Sequence, residues 1–99
     1  MAVFNYMELS TAHISSNSVE FLNDEAMLRK AGMIAYSKGD SEGWFVWIPD
    51  DDRFEEYFEV DLIPLSLLEC MKYARENDCV YLMFDVNAEV TEDLPEYEW

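Results

Sequence analysis

The sequence predicts a compact α+β domain, a two-layer sandwich with the element order β-α-β-β-α-β, and three observations carry that expectation. Two segments repeat apolar residues at helical spacing. Two others, 33–36 and 44–48, are short runs rich in aromatic and β-branched residues, while 6–14 alternates in part and 79–84 is apolar throughout. Gly32, the stretch Ser37-Lys38-Gly39-Asp40-Ser41-Glu42-Gly43 and the pair Asn77-Asp78 punctuate them. A chain of 99 residues, 51% hydrophobic and 15% aromatic, has material for one core, so residues 1–99 read as a single domain.

In chain order, residues 6–14 form a partly alternating strand. Asn17 followed by Glu20 has the form of a capping box, and Val19, Leu22 and Ala26, flanked by Phe21 and Leu28, make a helix face that runs to about Ala31. Gly32 ends this helix because it takes a left-handed conformation without steric cost. Residues 33–36 and 44–48 pair as a hairpin with a longer loop. Pro64 suits the first turn of a second helix, with Asp61 as a candidate cap. That helix places Leu67, Leu68, Met71 and Ala74 inward and Glu69, Lys72, Arg75 and Glu76 outward, and Asn77-Asp78 stops it. Residues 79–84 are apolar throughout and read as a central strand, covered on both faces or on most of one. An acidic tail, residues 85–99, completes the chain. This order is that of the ferredoxin-like arrangement, in which two helices cover one face of an antiparallel sheet; a less regular α+β sandwich is the alternative. Neither implies a function.

Charge is the strongest functional signal. Twenty-two acids against six bases leave a formal charge of −16, which disfavours direct binding to nucleic acid or an anionic membrane and favours basic protein surfaces, cations or plain solubility. No apolar run approaches a membrane span and the start has no leader pattern, so a cytoplasmic protein is expected. Cys70 and Cys79, nine residues apart, suit buried apolar positions better than a zinc pair or a disulfide scaffold.

The acids are concentrated. Residues 50–61 and 85–98 hold 13 of the 22 acids and one base, so these 26 residues carry −12. Asp50, Asp51, Asp52, Glu55, Glu56, Glu59 and Asp61 form the first group; Glu89, Glu92, Asp93, Glu96 and Glu98 follow Asp85 in the second. In a helical turn over 51–59, Phe54, Tyr57 and Phe58 would share one side as an anchor while the carboxylates stay wet. A solubilising loop accounts for this pattern. So does a presented acidic surface, and one specific form of it is a nucleic-acid mimic that inhibits a basic nucleic-acid-binding or defence protein.

Asp85, Asn87, Glu89, Thr91, Asp93 and Glu96 have the ligand spacing of a calcium loop. Val90 stands where the turn needs glycine, and Pro95 blocks the following helix, so weak, unspecific cation binding is expected rather than a calcium loop, with no defined metal site and no cofactor. His13 is the single histidine; a dyad with Asp85 would need the first and last strand ends to be neighbours, and a hydrogen-bonded structural role is the plainer reading. No glycine-rich phosphate loop, serine-centred elbow or CxxC pair is present in the sequence.

Leu9 to Ile14, Gly43-Trp44-Phe45-Val46-Trp47, and then in order Leu62-Ile63-Pro64, Ala74-Arg75-Glu76, Phe84-Asp85 and Leu94-Pro95-Glu96-Tyr97-Glu98-Trp99 resemble a family of small bacterial, plasmid and phage proteins known as domain of unknown function 5983. The chain departs from that pattern at Asn77-Asp78, where a glycine is expected, and at Val86-Asn87-Ala88, where a tighter acidic loop is expected. The resemblance implies no activity. It singles out His13, Asp85 and Trp99 as a possible cluster and implies a tail folded back on the domain, which the terminal aromatics Tyr97 and Trp99 favour physically. The expected function is therefore a non-catalytic binding or regulatory module. Its expected partner is a basic protein surface, with a homodimer through the tail or a sheet edge as another option. A small metal-assisted enzyme using His13 and Asp85 is the remaining alternative.

Overall fold

The computed structural model describes residues 5–37, 43–48 and 60–97. Strand β1 (Tyr6–Ser10) leads through a 3-10 turn (Thr11–His13) into helices α1 (Ser16–Leu22) and α2 (Glu25–Ala31). Strands β2 (Ala35–Ser37) and β3 (Gly43–Trp47) follow, then a 3-10 turn (Val60–Leu62), helix α3 (Leu65–Glu76) and strand β4 (Tyr81–Asp85). The architecture is the expected α+β order with an open sheet, broadly ferredoxin-like. Its sheet is mixed rather than wholly antiparallel: the order is β1-β4-β3-β2, and β1 runs parallel to β4. The pairs β3/β4 and β2/β3 are antiparallel.

Several local boundaries differ from the periodicity reading, each for a stated reason. The first strand stops at Ser10, whose hydroxyl accepts from the Ala12 N–H at 3.1 Å and caps the turn that follows. The first helix is two helices. Asp24 Oδ1 accepts from the N–H groups of Ala26 and Met27 at 3.1 and 3.2 Å, starting α2 afresh. The expected Asn17–Glu20 box gives way to Ser15, which occupies the cap of α1 in extended conformation. Gly32 closes α2 at φ 78°, and Met33 N–H bonds back to Leu28 O at 2.9 Å. Asp61 does not cap α3; it lies in the preceding 3-10 turn, and Pro64 holds the cap position, its carbonyl accepting from Leu68 N–H. Asp78 takes φ 60° just past the end of α3, a left-handed conformation that aspartate tolerates without glycine.

Helices and sheet meet in one core. From the sheet come Leu9, Trp44, Val46, Leu82 and Phe84; from α1 and α2 come Phe21, Leu22 and Leu28; from α3 come Leu67, Cys70, Met71 and Ala74. Leu82 and Phe84 are fully buried on central β4, whereas Tyr81 on the other face is 40% exposed. The central strand is thus covered on one face. Alternation places Tyr6, Glu8, Tyr36, Phe45, Trp47, Tyr81 and Met83 on the opposite, open face.

Candidate functional site

The element order alone does not bring residue 13 to residue 91; the parallel pairing of β1 with β4 does. In register, Ser10 lies beside Asp85, so the chain leaves both strands at the same end of the sheet. The 3-10 turn after β1 carries His13 inward, where it is 1% exposed. The tail after β4 then passes over it. Thr91 N–H donates to His13 Nε2 at 3.0 Å. His13 Nδ1 and Pro95 O are 2.8 Å apart. Because Nε2 accepts, Nδ1 carries the proton and donates to the Pro95 carbonyl, which defines a neutral ring.

Further contacts fix the same tail. Tyr97 N–H donates to Ala12 O at 2.8 Å, and the Tyr73 hydroxyl donates to Asp93 Oδ2 at 2.7 Å. Leu94 packs against the core between them. The tail is folded back and held from both sides, by the turn after β1 and by α3. The hydrogen bond to the Asp93 carboxylate, above all, raises the Tyr73 phenol pKa. Burial raises that of Tyr97, assisted by the nearby Glu69 carboxylate.

Among the described residues, the sequence-derived site residues have the following partners. Both nitrogens of His13 are taken by tail backbone, so they face Thr91 and Pro95 rather than Asp85. The Asp85 carboxylate accepts from Asn87 N–H at 2.8 Å and shapes the turn that starts the tail. Trp99 lies outside the described residues, as do Asp50, Asp51, Asp52, Glu55, Glu56, Glu59 and Glu98 and the proposed aromatic anchor Phe54, Tyr57 and Phe58. Asp61, Glu89, Glu92, Asp93 and Glu96 are exposed. Among the described residues, no group of three or more His, Cys, Asp or Glu side chains is arranged to hold a metal ion. Within the calcium-loop spacing over Asp85 to Glu96, Thr91 serves His13 by its amide and Asp93 serves Tyr73 by its carboxylate.

Two polar features escaped the sequence reading. Ser18 and Ser66 are buried with their hydroxyls 2.5 Å apart, and Ser66 Oγ also accepts from Ser15 N–H at 2.9 Å. This joins the start of α1 to the start of α3. Trp44 Nε1–H donates to Asn23 Oδ1 at 3.1 Å, tying β3 to the break between α1 and α2. Neither pair has a local sequence signature, since each partner is more than 20 residues from the other.

The fold and the clasped tail define a small mixed-sheet α+β domain whose only histidine is used internally. The chain belongs to the family described as "Family of unknown function (DUF5983) C-terminal domain", which matches residues 6–99. No curated protein and no solved structure is significantly similar to it. Among the described residues, no helix is long and apolar enough to cross a membrane.

Proposed function

We propose that this protein is a non-catalytic binding module that offers a fixed acidic surface to a basic partner protein. The observation that carries this reading is the clasp: Thr91, Asp93, Pro95 and Tyr97 are each hydrogen-bonded to the body of the domain, while Glu89, Glu92, Asp93 and Glu96 stay exposed. Carboxylates on a held segment lose less conformational entropy on binding than carboxylates on a loose one. The tail sequence from Asp85 onward contains no base to neutralise them. The engagement of both His13 nitrogens also favours binding over catalysis, because a general base needs a free ring nitrogen. Cytoplasmic action belongs to the same proposal; Cys70 and Cys79 are buried free thiols, which suits a reducing compartment.

The test compares the native protein with a tail variant carrying Glu89→Gln, Glu92→Gln, Asp93→Asn and Glu96→Gln, which removes charge and keeps an acceptor for Tyr73. Each is immobilised, exposed to lysate of the native host at low salt and eluted by rising salt. A basic protein retained by the native chain and lost by the variant is the expected result. Equal retention by both chains, or none by either, sinks the acidic-surface reading. Competition by duplex DNA for the retained protein then separates nucleic-acid mimicry from other acidic recognition.

A further inference from the structure

The open face of the sheet presents a second recognition surface. Register builds two rows across it: Tyr6, Tyr81 and Trp47 in one, and Glu8, Met83, Phe45 and Tyr36 in the next. Tyr6 is 61% exposed and Tyr36 68%. Tyr6, Phe45, Tyr81 and Met83 line an apolar depression of about 440 Å³. Glu8, an exposed carboxylate, stands in register beside Met83 at its margin. No cationic side chain occupies a described strand position of this face. Aromatic π faces, a thioether and one carboxylate, on a chain of formal charge −16, form a complement to a planar cation with an apolar stem.

We propose that this face docks an arginine-bearing segment of a basic partner protein, with guanidinium groups stacked on Tyr6, Phe45 and Tyr81 and paired with Glu8. This rests on the binding-module reading and adds a surface separate from the tail. Arginine fits better than lysine because its guanidinium stacks flat on aromatic rings and sheds water more readily than an ammonium. A second copy of the chain fits less well. Three strands of five residues and one of three, spaced about 4.8 Å apart, offer on the order of 300 Å² of face, well short of the roughly 800 Å² per partner of a stable interface. Two such chains would also meet with like charge.

The experiment follows backbone amide resonances of the whole protein at physiological salt during titration with an acetylated, amidated Gly-Arg-Gly-Arg-Gly peptide and its lysine counterpart. Expected are shifts at Tyr6, Glu8, Phe45, Tyr81 and Met83, with arginine binding at least about threefold tighter than lysine. Phe45→Ala should weaken arginine binding by about fivefold, and Glu8→Gln, an exposed change with no demand on folding, by about twofold to threefold. The charge-neutralised tail variant should keep the arginine preference. Shifts confined to residues 85–97, equal for the two peptides and lost in the tail variant, overturn this assignment while leaving the acidic-surface reading intact. Absence of shifts at both surfaces overturns it, as does concentration-dependent self-association through the face.

Discussion

His13 Nε2 accepts a hydrogen bond from the backbone N–H of Thr91, 78 residues further along the chain, at 3.0 Å. Together with the bond from Nδ1 to Pro95 O, it makes the one histidine a bracket around the returning tail. A polar ring at 1% exposure is tolerable because both of its polar atoms are satisfied, one as donor and one as acceptor.

Replacing His13 by Ala therefore removes two hydrogen bonds and leaves a buried gap. The expected loss is about 2 to 4 kcal/mol of stability, together with faster amide exchange at Thr91 and Tyr97 than at Leu82 in the sheet. Hydrogen exchange of the native protein and the variant checks this. Unchanged protection at Thr91 would remove His13 from the clasp.

The serine pair that joins α1 to α3 has a similar dependence. Ser66→Ala deprives Ser15 N–H of its acceptor and Ser18 of a buried partner, with an expected cost of about 1 to 3 kcal/mol. Ser18→Ala should cost less once Ser66 is already alanine, because the two hydroxyls share one bond. A double-mutant cycle in urea reads the coupling, and strict additivity contradicts it.

Cys70 is pushed up to about 12 by burial, with the Glu69 carboxylate adding to the effect. At pH 8 its thiolate fraction in the native state is on the order of 10⁻⁴. Native protein should hence leave Cys70 unlabelled by a thiol-specific reagent over minutes, and denaturant should release it. Rapid native labelling at Cys70 would place that thiol outside the core.

The same shift predicts an alkaline loss of stability. The folded thiol keeps its proton above the pH at which the unfolded thiol loses it, so the native state binds more protons between about 9 and 12. Stability falls with rising pH through that window, by about 1 kcal/mol per pH unit from this group. The raised phenol pKa values of Tyr73 and Tyr97 act in the same direction. Urea midpoints of the native protein and Cys70→Ala across the window check it; the native midpoint should fall more steeply.

Trp44→Phe keeps most of the buried ring and deletes the donor to Asn23, with an expected loss of about 1 kcal/mol or slightly more. The double variant with Asn23→Ala should lose less than the sum of the two. Thermal melts of the four proteins decide the point.

Much of the fold was legible because its signals are local. The spacing of Leu67, Met71 and Ala74 marks the buried side of α3, and the apolar run ending at Phe84 marks the central strand. The break at Asn23-Asp24 was less legible, since the apolar residues continue at helical spacing through it while Asp24 restarts the backbone bonding. For the site, His13 was legible as a single histidine in a hydrogen-bonded structural role, yet its partners were not. Thr91 and Pro95 act through backbone atoms, which every residue carries and no side-chain pattern identifies.

By itself the sequence determined the order of strands and helical segments, though not the break between α1 and α2, together with the burial of Cys70 and the concentration of carboxylates toward the end of the chain, because periodicity, volume and charge are properties of neighbouring residues. Only the tertiary structure decided that β1 lies parallel to β4, that the tail closes over His13 and that Tyr6, Phe45 and Tyr81 meet on one open face. Those outcomes depend on strand pairing across more than 70 residues, where several registers satisfy the same local pattern and the packed core selects one.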